Sequence, residues 1–179
     1  MKKIIFTLIM AFAMLPMMAQ EHNCGNCPHH KQHQQQGASC CSQQKQKTIN
    51  GLPAEIATAF PTAKSIKKET KWTLVYNAKK ELLGYAVYSK PASNGIKGYA
   101  GETPLMIALG ENMKIISVTM LQNSETPSYL SRVVNAGLLK SWDGMKLKRA
   151  KKKNVDTVSG ATFSSRSIIQ TFQAAIKNL

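Results

Sequence analysis

The residues best placed to do chemistry lie near the C-terminus, where the chain reads VDTVSGATFSSRS from Val155 to Ser167. Ser159, Gly160 and Ala161 are small and suit a tight turn that opens onto a helix. The free amides and the dipole at such a helix N-terminus favour a phosphate. Gly160 lets the backbone come close to an anion, and Thr162 presents a hydroxyl at the same spot. A hydroxyl does not become a phosphoester unaided, but beside an anion site the linkage is geometrically sensible. The same residues also suit an ordinary capped turn, in which Ser159, Thr162 or Ser164 satisfies orphan amides.

A second cluster lies near the N-terminus. Every cysteine and histidine of the chain falls between His22 and Cys41, in the order H-x-C-x-x-C-x-H-H-x-x-H followed by two adjacent cysteines. Cys24, Cys27, His29, His30, His33, Cys40 and Cys41 are therefore candidate ligands for zinc, copper or another soft metal. The distance from Cys27 to the Cys40–Cys41 pair does not fit a standard zinc ribbon. Disulfides are the alternative, and C-x-x-C-P does not have the haem-attachment pattern.

The stretch D-T-V-S-G-A-T, Asp156 to Thr162, resembles the flavinylation motif D-x-x-S-G-A-T of the FMN-binding domain family. That family includes flavin subunits of Rnf complexes and of sodium-pumping NADH:quinone reductase. The resemblance implies covalent FMN, joined through its phosphate to Thr162 by an FMN transferase that uses FAD as donor and magnesium as helper. Asp156, Ser159, Gly160 and Ala161 take the recognition and phosphate-loop positions. Two further stretches match in order and spacing. The segment from Gly95 carries Gly98, Tyr99 and Gly101 in the family's glycine pattern, with Ala100 where a second glycine is common. The Ser124-Glu125-Thr126-Pro127 loop resembles the family's S-E-T-P loop, which implies a flavin-binding role for Glu125 and Thr126. The likeness runs from about residue 95 to 179.

These residues need a scaffold. PAEIATAF, with Pro53 at the first helical position, predicts a short helix ended by Pro61. WTLVYN and LLGYAVYS flank the polar NAKKE and predict a hairpin, and TPLMIALG followed by KIISVTMLQ predicts another. Within the last strand, alternation makes the Ile116, Val118 and Met120 face the more apolar one. An apolar stripe from Pro127 to Trp142 predicts one helix, with Gly137 an unfavourable residue within it. The closing SSRSIIQTFQAAIKNL predicts a helix capped by Ser164 or Ser165, with Ile168, Ile169, Phe172, Ile176 and Leu179 on its buried face. Strand pairs interspersed with helices, without βαβ alternation, predict an α+β domain built on a mainly antiparallel sheet.

The remainder bounds the setting. Residues 1–19 have the charge, apolar run and small-residue order of a signal peptide, so the chain is expected to be exported to the periplasm or beyond, released or tethered by an uncleaved leader. Its apolar stretch is shorter than the ~20 residues a spanning helix needs. Residues 20–50, rich in Gln, Lys and His, are expected to be disordered, with residues 51–94 forming the helix and first hairpin and 95–179 the FMN-binding part. The net charge of +15 invites nucleic acid as a partner, but export argues against it and favours an acidic redox partner, an anionic membrane surface or plain solubility. The basic run from Lys146 to Lys153 is expected to be a solvated loop. Together these features predict an exported electron carrier more than a stand-alone enzyme. The alternatives are a metal-binding protein acting through the Cys/His segment, or a small flavin-dependent oxidoreductase that reduces a terminal acceptor.

Overall fold

The computed structural model describes residues 47–179. The expected leader and the candidate metal residues of the Cys/His segment lie outside them. Thr48–Ile49 (β1) and Leu52–Pro53 (β2) form a small antiparallel ladder, so Thr48 and Ile49 are paired although they fall in the stretch whose composition predicts disorder. Ala54–Ala59 (α1) follows with Pro53 as its N-cap, one position before the first helical place expected of it, and closes with the Phe60 amide bonded to the Ile56 carbonyl.

Five strands make one antiparallel sheet in the order of the chain. They are Ser65–Lys68 (β3), Thr73–Tyr76 (β4), Leu82–Tyr88 (β5), Leu105–Gly110 (β6) and Ile115–Met120 (β7). Both expected hairpins are present, β4–β5 and β6–β7. β3 has no apolar alternation in SIKK and was invisible to periodicity; it pairs with β4 as an exposed edge strand.

β6 shows why its sequence is a continuous apolar run. Leu105, Met106, Ile107, Ala108 and Leu109 are all fully buried. Leu105, Ile107 and Leu109 point into one core with Val133, Trp142, Ile168, Phe172 and Ile176. Met106 and Ala108 point the other way, against Leu52, Ile56 and Phe60 around α1. A strand covered on both faces has no polar side to show. In β7 the expected alternation fails at one residue: the register shifts near Leu109, which pairs with Ile115 while Ala108 pairs with Ser117. Ile116 is thereby left 42% exposed, and Ile115 joins Val118 in the core. A bulge adds one residue and inverts the facing beyond it.

The remaining helices lie after the sheet in the chain. The stripe from Pro127 to Trp142 divides into Pro127–Asn135 (α2) and a 3₁₀ turn at Leu138–Trp142, because Gly137 adopts φ +72°. A left-handed residue ends an α-helix, and glycine enters that region at no steric cost. Leu147–Ala150 (α3) buries Leu147 and Ala150, so the basic run is not simply a solvated loop. Lys151 Nζ donates to the carbonyls of Lys177 and Leu179, and Lys153 Nζ donates to that of Ser141. Both lysines satisfy backbone carbonyls, and those of Lys177 and Leu179 follow the end of the last helix, where a cation also suits the dipole.

That last helix, Thr162–Ile176 (α4), buries Ile168, Phe172 and Ile176 as the stripe predicts. Phe172 stacks on Trp142 at a ring separation of 4.0 Å and 16° between planes. Thr103 and Ser167 share a buried 2.6 Å hydrogen bond that joins the start of β6 to α4. Phe172→Ala should cost about 3–5 kcal/mol, the range for removing a buried aromatic side chain. Urea unfolding followed by circular dichroism checks it; a loss below about 1 kcal/mol would mean the stack does not anchor the helix.

Candidate functional site

The turn that begins the site comes from sequence of low bulk. Gly160 sits at φ +73°, and the Ala161 amide donates to the Val158 carbonyl at 3.0 Å. Ser165 reaches back from α4 to hold this turn: its hydroxyl accepts from the Val158 amide at 3.0 Å and donates to the Ala161 carbonyl at 2.8 Å. Helix α4 therefore starts at Thr162, with Ala161 as N-cap and no side-chain cap bond. Neither Ser164 nor Ser165 is the cap that sequence predicts. Both lie one turn inside, buried, and serve as ties between the turn, the helix and a neighbouring loop. The first amides of α4 have no intrahelical acceptor and no side-chain cap, and Thr162 at that end is exposed.

A second loop is clamped beneath the first. Residues Gly98 to Gly101 form a tight turn closed by the Gly98 amide on the Gly101 carbonyl at 2.7 Å. The Glu125 carboxylate holds it: Oε1 accepts from the Ala100 amide at 2.7 Å and the Gly101 amide at 2.9 Å. Oε2 accepts from the Ser164 hydroxyl at 2.5 Å. Asn123 Oδ1 takes the Glu125 amide at 3.0 Å, which fixes the carboxylate-bearing loop itself. Glu125 is 5% exposed. Burial pushes its pKa up, but the hydrogen bonds from Ser164, Gly101, Ala100 and Tyr99 outweigh that and leave it below the usual carboxylate range.

This geometry explains the glycines. A Cβ at Gly98 would lie 2.5 Å from Glu125 Oε1, and one at Gly101 would lie 3.3 Å from the Ser124 Cβ. Ala100 is exposed and contributes its backbone N–H, so its methyl is accommodated in solvent. With the turn held, Tyr99 projects from its tip, 63% exposed, with its ring edge-on to Tyr129 at 5.0 Å.

Between these parts lies an open cavity of about 250 Å³, lined by Tyr99, Tyr129, Gly160, Thr162 and Phe163 among others. Phe163 is 65% exposed, so two large exposed aromatic side chains, Tyr99 and Phe163, share the cavity lining with Thr162. Exposed apolar rings beside an anion-favouring turn suit a ligand with a flat aromatic part and a phosphate. A larger cavity, about 350 Å³, opens across the other side of the sheet near Ile56, Ile66, Trp72 and Tyr88. None of the motif residues line it, so size is a poorer guide here than chemistry.

The sequence-derived residues are therefore brought together unequally. Gly160, Ala161 and Thr162 line the cavity. Asp156 and Ser159 are exposed on the approach to the turn and are not among its lining. Glu125 holds loops and does not line it, and Thr126 is the N-cap of α2. Tyr129, Phe163 and Ser164 escaped site assignment from sequence, because a helical aromatic or serine has no spacing that marks it. Among the described residues there is no group of three or more His, Cys, Asp or Glu placed to hold a metal. No described helix is long and apolar enough to cross a membrane.

Residues 98–177 match the sequence model of the FMN-binding domain family. Among solved structures, the crystal structure of Shewanella oneidensis NqrC is similar to this chain at 17% sequence identity and a TM-score of 0.37, covering 67% of this chain and 72% of that one. No curated protein matches.

Removing the Glu125 clasp should loosen both loops. Glu125→Ala should cost about 2–4 kcal/mol, since three donors lose a charged, buried acceptor. Because the folded carboxyl has the lower pKa, its contribution is complete above the unfolded value of about 4.3 and is lost as pH falls through the folded value. Glu125→Gln should therefore flatten the acid limb of a stability-versus-pH curve; an unchanged limb would contradict the assignment.

Proposed function

With residues 98–177 forming an FMN-binding domain, we propose that this chain is an exported electron carrier whose FMN is joined by a phosphoester to Thr162. The observation that carries the proposal is the position of Thr162: exposed, first in α4, and on the wall of the aromatic cavity beside the Gly160 turn. In the linking step, the Thr162 hydroxyl oxygen attacks the FMN phosphorus of FAD. The bond between that phosphorus and the oxygen bridging to AMP breaks, AMP leaves, and the hydroxyl proton passes to a base of the transferase. The transferase would supply magnesium, whose charge would favour departure of AMP.

The residues present fit such a group. Gly160 makes the tight turn at φ +73°, and the first amides of α4, which lack intrahelical acceptors, would be available to the phosphate. Tyr99 and Phe163 offer ring faces to the isoalloxazine, and the Glu125 clasp holds the Tyr99 turn in place. The bound flavin supplies one- and two-electron redox chemistry. The chain's own part is to keep the ring at an open surface that another protein can approach. A covalent link also removes dissociation as a route of loss outside the cytoplasm, where FMN is hard to replace.

Export rests on the leader-like residues 1–19. The strong positive charge supports an acidic redox protein, or a membrane carrying one, as the partner. The Cys/His segment is proposed as a separate soft-metal or disulfide site resting on Cys24, Cys27, His29, His30, His33, Cys40 and Cys41.

Thr162→Ala, expressed with an FMN transferase and an export system, should lose the flavin fluorescence that the parent chain keeps in a denaturing gel. Fluorescence persisting in the variant band would place the linkage on another residue.

A further inference from the structure

One cation sits on the motif turn although it comes from another element. Arg132 lies in the last turn of α2. A Cβ built at Gly160 would be 2.7 Å from its Nη1 and 3.6 Å from its Cζ. The guanidinium therefore lies against the Gly160 backbone, over the turn that delivers Thr162. It is exposed, and among the described residues it has no carboxylate or hydrogen-bonded partner; the ion pairs there are Lys67–Glu69 and Lys90–Glu102.

A guanidinium is a planar fork of donors that matches two phosphate oxygens at once and stays charged at any relevant pH. An unpaired one resting on a turn whose amides also favour an anion is placed to complete a phosphate site. We infer that Arg132 binds the phosphate of the flavin, both before linkage and afterwards as the phosphodiester on Thr162. The inference rests on the FMN reading and adds to it the residue that tells a flavin with a phosphate from one without. It also gives Gly160 a second reason to lack a side chain. A methyl there would strain a backbone at φ +73° and push the guanidinium off the turn.

Arg132 has a plainer use as a cation at the C-terminal end of α2, where the helix dipole favours it. That use affects stability alone and gives no preference among flavins, so the test measures preference. In a Thr162→Ala background, which blocks the ester, FMN and riboflavin are titrated separately by quenching of their fluorescence. FMN should bind about tenfold or more tightly than riboflavin, as one charge-assisted fork allows. Adding Arg132→Ala should bring the ratio close to one, Arg132→Lys should keep part of it, and Gly160→Ala should lower it by displacing the guanidinium. A ratio unchanged in Arg132→Ala, with the fold intact by circular dichroism, overturns the inference.

A second measurement uses the flavinylated chain itself. The ³¹P resonance of the phosphodiester should shift between the parent and Arg132→Ala, and identical resonances overturn the assignment. A parent chain that takes up no flavin in either experiment overturns the FMN reading, and this inference with it.

Discussion

The site depends on one buried carboxylate. Glu125 accepts hydrogen bonds from two amides of the Gly98–Gly101 turn and from Ser164 on α4. Three segments far apart in sequence meet there, so the carboxylate decides where Tyr99 stands relative to Thr162. A buried charge without partners is costly, whereas one that accepts several hydrogen bonds is held firmly. The same requirement accounts for Gly98, whose Cβ would lie 2.5 Å from that carboxylate. In this structure the residue acts through what it positions, while Tyr99, Phe163 and the Gly160 turn line the cavity.

Behind the clasp, the sheet gives α4 a fixed bed. Because β6 is buried on both faces, α1 and the helices on the opposite side are set by one strand. Phe172 stacking on Trp142 and the Thr103–Ser167 hydrogen bond then fix the helix along its length. An electron-transfer group benefits from such rigidity, since small errors in position change the distance to a partner. The exposed side of Tyr99, Phe163 and Thr162 is the part left without packing, which is what an approachable cofactor needs.

Much of this was legible in the sequence, and what was not has identifiable causes. The α+β class, both hairpins and the buried stripe of α4 follow from periodicity, which records burial directly. Gly137 marked a weak point in its helix, and its φ of +72° ends α2 there. The inverted facing of Ile115 and Ile116 was hidden, because a bulge leaves no compositional trace. Strand β3 was hidden because an exposed edge buries little. At the site, the motif and the SETP loop were visible by resemblance, but the bonds from Glu125 to the Gly98–Gly101 turn and to Ser164 arise only in the fold. The ring of Tyr129 and the guanidinium of Arg132 reach the turn through tertiary folding alone. No spacing along the chain announces them.

The central claim is a covalent bond at one hydroxyl, and peptide mapping by tandem mass spectrometry of the natively matured protein tests it most directly. Trypsin cleavage after Lys153 and Arg166 yields a peptide from Asn154 to Arg166 that contains Thr162. The account predicts that this peptide is heavier by one FMN less one water, with fragment ions placing the added mass on Thr162. The same peptide found wholly unmodified, from protein matured beside its FMN transferase, would contradict it.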